Sequence, residues 1–273
     1  MSASRTWDPR AQDWAVMRAL FVGDVVGPRA VEWLAARLPS LRREHGVDLA
    51  IVDAENCAAD GASMSVAGVE ALLAAGADVI TGGNHAFEGA EMHAVLDHER
   101  VLRPLNVAGA APGRGTLTLQ AAGEEVRVVV LADRLALEDA PSFAQMTLAP
   151  YAAWAALPAS STTIVEMHAL SVAAKQSLAF ALDGQVAAVL GTHTHEPTID
   201  LHLLAGGTAL VSDVGMTGAR GGVQGMDPRA FIAHARGAPP QQTPRVRPGD
   251  GEIVLGAILL DIENGRTRAL VRL

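Results

Sequence analysis

The chain has 273 residues, 49% of them hydrophobic, with 21 Lys and Arg against 30 Asp and Glu, for a formal net charge of −9. That length and composition support a sizeable packed core and exclude a disordered polymer, and the negative balance argues against an extended nucleic-acid-binding surface. The single cysteine, Cys57, excludes an intrachain disulfide and fits a reducing cytoplasm, and no apolar run reaches the length that spans a bilayer.

Residues 1–16, "MSASRTWDPRAQDWAV", lack an apolar signal core and read as a flexible N-terminal extension ahead of one domain over 17–273. "RALFVGD" (18–24) reads as the first strand. "PRAVEWLAARLPSLRREHG" (28–46) reads as a helix, with Pro28 in the first turn, where a missing N–H costs nothing, and Pro39 expected to kink or divide it. "DLAIVDAEN" (48–56) is the next strand. "SVAGVEALLAAG" (65–76) is a helix, capped by Ser65 and stopped by Gly76. "DVITGGNH" (78–85), "VRVVVLAD" (126–133), "TTIVEMH" (162–168), "VAAVLGTH" (186–193) and "TALVSDVG" (208–215) follow as strands. Residues 235–251 are Pro/Gly-rich and read as a surface loop. Two apolar runs around Asn264-Gly265 carry a type I′ hairpin signal, so the fold should end in antiparallel strands. Alternating strands and helices give an α/β architecture with parallel pairing in its first part.

The polar residues gather at strand ends. Asp24 follows "LFVG", Glu55 and Asn56 follow "AIVDA", and Asn84 and His85 follow "VITGG". His168 ends "TIVEM", and His193 and His195 follow "VAAVLGT". In an open α/β sheet the carboxyl ends of parallel strands line one edge, where ligands bind. Imidazole, carboxylate and amide oxygen suit Fe, Mn, Zn or Co. Each residue alone has a plainer use: Asp24 as a helix cap, Asn84 as a turn former, His168 as a core histidine. Their agreement in position is what points to a metal centre. In extended backbone the two rings of His193-x-His195 would share one side; in a loop they could grip two neighbouring ions.

"GDVVG" (23–27), "AEN" (54–56), "GGNH" (82–85), "MHAL" (167–170) and "GTHTH" (191–195) together resemble the calcineurin-like metallophosphoesterases, and more narrowly their YmdB-like bacterial branch. "LRPLNV" (102–107), "PGRG" (112–115), "LDGQVAAVLGTHTH" (182–195) and "DVGMTG" (213–218) extend the likeness over roughly residues 18 to 226. The resemblance implies a four-layer α/β/β/α sandwich with two metal ions, Fe first and Mn or Zn as alternatives. It implies Asp24, Glu55 and His195 for the first ion, with Asn56 close by. It implies Glu55, Asn84, His168 and His193 for the second, Glu55 bridging, and His85 as the catalytic histidine. It implies a phosphodiesterase acting on 2′,3′-cyclic or 3′,5′-cyclic nucleotides by attack of a metal-bridging hydroxide, in a cytoplasmic homo-oligomer with no membrane partner and no stable nucleic-acid complex. The chain departs from the branch at "ENCAADGASMS", at "NHAFE" where the branch has "NHxWD", and at Leu170, where it has an acid. Residues 133–160 match poorly and could form a lid or rim. A phosphomonoesterase or nucleotidase at the same site is the alternative, and a metal-binding regulatory protein is a second one. A dinucleotide-binding enzyme is disfavoured, because "GDVVGP" lacks the G-x-G-x-x-G turn.

Overall fold

The computed structural model describes residues 16–107, 111–137 and 147–273. Of the N-terminal extension, residues 1–15 lie outside this set, as do 138–146 of the proposed lid. Met17–Val22 (β1) shows why the chain forms layers. Met17, Ala19 and Phe21 pack into one apolar cluster, and Leu20 and Val22 into another. A strand with two apolar faces needs cover on both, and the side-chain alternation of two delivers each face to its own layer.

β1 lies in a six-stranded sheet with Leu49–Asp53 (β2), Val79–Thr81 (β3) and Val101–Leu102 (β4), all parallel. A second sheet holds Thr116–Ala121 (β5), Glu124–Ala132 (β6), Thr162–His168 (β7), Ala188–Thr192 (β8), His202–Leu203 (β9) and Ala209–Val211 (β10), ordered β5-β6-β7-β8-β10-β9. Gly218–Ala219 (β11) pairs with Ile253–Val254 (β12) as a separate ribbon. Ala257–Glu263 (β13) and Arg266–Arg272 (β14) complete the first sheet in the order β14-β13-β1-β2-β3-β4. β13 runs antiparallel to β1. Asn264 (φ 52°) and Gly265 (φ 73°) both take the left-handed backbone that a type I′ turn requires.

The inner faces of the two sheets share one apolar cluster, with Phe21, Ile51 and Ile258 from the first and Val128, Ile164 and Leu190 from the second. Gly27–His45 (α1), Val66–Ala74 (α2) and Met92–Leu96 (α3) cover the outer face of the first sheet. Pro150–Ala155 (α4) and Val172–Ala181 (α5) cover that of the second. The result is the α/β/β/α sandwich. Pro228–Ala235 (α6) lies in the excursion between β11 and β12. No helix among the described residues is long and apolar enough to cross a membrane.

One expectation fails. Helix α1 runs unbroken through Pro39. An interior proline costs roughly 3 kcal/mol. Leu34, Leu38 and Leu41 are buried on both sides of it, and burial at about 1.5–3 kcal/mol per side chain outweighs that cost. Ser65 caps α2 as expected, its hydroxyl accepting from the Gly68 N–H at 3.1 Å. Strands β4, β5, β9, β11 and β12 go beyond the sequence reading. Four are two residues long, and β5 joins β6 through a turn at Ala122-Gly123.

Candidate metal centre

Strands β1, β2, β3, β7 and β8 all end at one edge of the sandwich, so their terminal residues meet although they belong to two sheets. The Glu55 carboxylate accepts from the Gly83 N–H at 2.7 Å and lies 3.4 Å from His168 Nε2. The same Nε2 lies 2.8 Å from Asn84 Oδ1 and 2.9 Å from His193 Nδ1. The Asp24 carboxylate faces His195 Nε2 at 3.6 Å and accepts weakly from the His193 N–H. Three groups of donor atoms result among the described residues, Asp24–Glu55–His195, Glu55–His168–His193 and Asp24–Asp53–His168, and Glu55 joins the two that contain His195 and His193. His193 (φ 92°) and His195 (φ 65°) sit in left-handed backbone. The loop reading of His-x-His therefore applies, and the two rings go to different groups.

Hydrogen-bond partners set which nitrogen of each ring faces the centre. Thr192 Oγ1 donates to Glu166 Oε1 at 2.9 Å and so accepts from His168 Nδ1, 3.0 Å away. His168 Nε2 is left with a lone pair, pointed at Asn84 Oδ1, an acceptor as well, and at Glu55 Oε2, an acceptor whenever that carboxyl is ionised. Gln224 O accepts from His195 Nδ1 at 2.8 Å, which leaves Nε2 facing Asp24. Burial lowers the pKa of His168 well below its ordinary value and that of His193 to about 4. A knot of lone pairs with too few protons is unfavourable by itself and fits a cation at its middle. The buried Asn56 Oδ1, which has no hydrogen-bond partner, adds a further orphaned acceptor beside Glu55. The amide nitrogen of Asn56 donates to Gly61 O at 2.8 Å. Cys57 belongs to none of these groups.

Burial also raises the acids. It pushes Asp24 up to about 6 and Glu55 to about 8. Below them Glu166, raised by burial to about 7, meets Asp53, itself raised well above its ordinary value by burial. Asp53 Oδ2 and Glu166 Oε2 are buried without a hydrogen-bond partner, a cost that protonation of these carboxyls would relieve. The folded, metal-stripped protein therefore holds protons that the unfolded chain, with carboxyl pKa values near 4, has released. Its stability should fall as pH rises from about 6.5 to 8, because over that window the native state binds more protons, while below it the neutral His168 and His193 act in the opposite sense. Urea unfolding of chelator-treated protein at several pH values checks this; stability rising over that range would contradict it.

The sequence reading did not single out the residues that hold the ligands in place. Lys175, fully buried on α5, bonds Asp213 at 2.8 Å. Asp213 in turn accepts from the Thr194 hydroxyl at 2.7 Å and the Thr194 N–H at 3.2 Å, between the two histidines. A lysine on the apolar face of a helix was the available signal. Lys175→Ala removes the cation from the buried Asp213 carboxylate, which keeps its hydrogen bonds from Thr194 and the Gly215 N–H, and should cost about 3 kcal/mol, read as a lower urea midpoint. Gly83 is needed for a different reason: a Cβ there would stand 2.2 Å from the His168 ring.

His85 stands at the rim, in the short 3₁₀ turn Asn84–Phe87. Its Nδ1 contacts Glu88 Oε1 at 3.0 Å. Burial pulls its pKa down, but the Glu88 hydrogen bond and the charges of Glu55, Glu88 and Asp24 outweigh this, and it rises to about 9. The departure from "NHxWD" to "NHAFE" thus keeps a carboxylate on the histidine, one methylene longer.

The profile of the family described as "YmdB-like protein" matches residues 20–273. The chain is 32% identical over 257 residues to a 2′,3′-cyclic-nucleotide 2′-phosphodiesterase of Bacillus subtilis (strain 168), covering 93% of this chain and 94% of that one. A relative from Mycoplasma pneumoniae, named as a phosphatase/phosphodiesterase, is 31% identical over 233 residues, covering 81% of each chain. A crystal structure of a hypothetical protein from Thermus thermophilus superposes with a TM-score of 0.85 at 34% identity, over 94% of this chain and 98% of that chain. By the extent of the family match and the identity to these relatives, the chain belongs to the YmdB-like branch of the calcineurin-like metallophosphoesterases.

Proposed function

We propose that the protein is a two-metal phosphodiesterase acting on cyclic nucleotides, 2′,3′-cyclic or 3′,5′-cyclic. The observation that carries this is the pair of donor groups sharing Glu55. Asp24, Glu55 and His195, with Asn56 nearby, would hold one ion, and Glu55, Asn84, His168 and His193 the other. Such ions, Fe first and Mn or Zn as alternatives, neutralise non-bridging phosphate oxygens and supply hydroxide near neutral pH. Three neutral imidazoles against two carboxylates would leave the loaded centre positive, which draws in an anionic phosphodiester. His85 would carry its proton on Nε2, toward the leaving ribose oxygen, while Glu88 holds Nδ1. The Bacillus relative's cyclic-nucleotide activity supports the diester reading. The double name of the Mycoplasma relative favours a phosphatase as the second reading.

Metal analysis of protein purified without added metal, beside His193→Ala, tests the centre. About two ions per chain are expected, falling in the variant. Comparing a bis-aryl with a mono-aryl phosphate separates diester from monoester preference. A protein that holds no ion and takes up neither Mn²⁺ nor Fe²⁺ would overturn the proposal.

A further inference from the structure

Residues 220–247 contain five arginines and one acid, Asp227, in a chain whose net charge is −9. Four of these arginines, Arg220, Arg229, Arg245 and Arg247, line two adjoining cavities of about 430 and 240 Å³ that share Asp227 and Arg229. All four are exposed. Arg229 and Arg247 both pair with the Asp227 carboxylate, the latter at 3.0 Å, so one acid serves two guanidiniums. Asp250 is the other acid on the cavity walls. Four guanidiniums against two carboxylates leave the walls positive.

The loop that carries the patch reaches the candidate centre. Gln224, within the same loop, accepts from His195 Nδ1 through its carbonyl and donates its amide to Thr194 O at 3.1 Å. The strand preceding Arg220 is tied to the Asp24 turn by the bond from the Val26 N–H to Thr217 O, 2.9 Å. The arginines therefore lie on the Asp24–His195 side of the candidate centre. A cyclic mononucleotide has one phosphate, and on the reading above that phosphate goes to the metals. It offers no second phosphate to the arginines.

We propose that the substrate is the 3′ end of a short single-stranded RNA closed as a 2′,3′-cyclic phosphate, with its 5′-ward phosphates lying along Arg220, Arg229, Arg245 and Arg247. This rests on the phosphodiesterase reading. The terminal diester takes up one water: the P–O2′ bond breaks, O2′ gains a proton, and a 3′-phosphomonoester remains. Arginine pairs phosphate oxygens bidentately and needs no base contact, so the preference is for chain length and not for sequence. The acidic remainder of the surface confines the contact to a few phosphates near the end.

The test compares kcat/KM for a ribohexamer ending in a 2′,3′-cyclic phosphate with that for the nucleoside 2′,3′-cyclic monophosphate. It is run on the wild type, R245E/R247E and R220Q/R245Q; the second variant spares the Asp227 pairs. The hexamer is expected to be preferred about tenfold at low salt, and the ratio should fall toward one in both variants. Anisotropy of a labelled hexamer ending in a 3′-phosphate should show an affinity that falls with salt, at a log–log slope of about −1.4 to −2 for two to three phosphate contacts. A ratio near one in the wild type, or a ratio untouched by both variants, overturns the proposal. Hydrolysis of neither substrate, with salt-dependent RNA binding still lost in the variants, overturns the phosphodiesterase reading and keeps the RNA patch. Hydrolysis of the mononucleotide alone does the reverse.

Discussion

Glu55→Gln should abolish metal retention and lower phosphodiesterase turnover by at least about a thousandfold. Glu55 is the residue common to the Asp24–Glu55–His195 and Glu55–His168–His193 groups. Without its charge one group is left with Asp24 and His195, and the other with His168, His193 and the neutral Asn84. An amide can still accept from the Gly83 N–H, now at 2.7 Å from the carboxylate, so the local fold survives. The control against misfolding lies in the metal-free state. Glu55 is an acid raised to about 8 by burial, and its ionisation opposes folding of the metal-free chain at higher pH. Metal-stripped Glu55→Gln should therefore unfold at no lower urea concentration than metal-stripped wild type at pH 8. Two tightly held ions in the variant would remove Glu55 from the shared position.

His85→Ala should separate chemistry from metal binding. Its ring belongs to none of the donor groups, so metal content should stay at the wild-type value. Turnover of a cyclic nucleotide should fall by about 10²–10⁴, the span typical of a lost general acid. The loss should be much smaller for a nitrophenyl ester, whose leaving group needs no proton. Glu88 sharpens the test. It hydrogen-bonds His85 and helps to raise it to about 9. If the protonated ring is the active form, rate falls as pH rises through the ring's pKa in the metal-loaded enzyme. Glu88→Gln lowers the pKa, so the falling limb should move to lower pH while metal content is unchanged. A limb that does not move would mean that Glu88 does not act through His85. Full activity of His85→Ala on a ribose diester would remove His85 from the mechanism.

Much of this was legible along the chain, for definite reasons. A strand buried on both faces needs an apolar run, so "ALFV", "LAIV" and "AVL" announced β1, β2 and β8. Ser65 and Asn264-Gly265 declared a cap and a turn, because few residues meet those backbone demands. Asp24, Glu55, Asn84, His168, His193 and His195 stood out because polar groups rarely follow such runs without a partner. Strands of two residues, such as β4 and β11, gave no comparable signal, since their pairing comes from neighbours distant in sequence. Pro39 misleads because local propensity is about 3 kcal/mol at one residue, while the leucines of α1 bury their side chains against a sheet that the local sequence does not reveal.

By itself the sequence determined the strands, their polar ends and the residue types that suit metal ions. Only the tertiary structure decided that these ends come from two sheets facing each other, which is what brings Asn84 of one to His168 of the other at 2.8 Å. It alone decided that left-handed backbone sends His193 and His195 to different donor groups. It also decided that Thr192 and Gln224 choose the ring nitrogens and that Lys175 and Asp213 hold the loop between them. The physical reason is range. Apolar periodicity and turn chemistry act between near neighbours in the chain, whereas the protonation and aim of a buried ring depend on partners tens to hundreds of residues away.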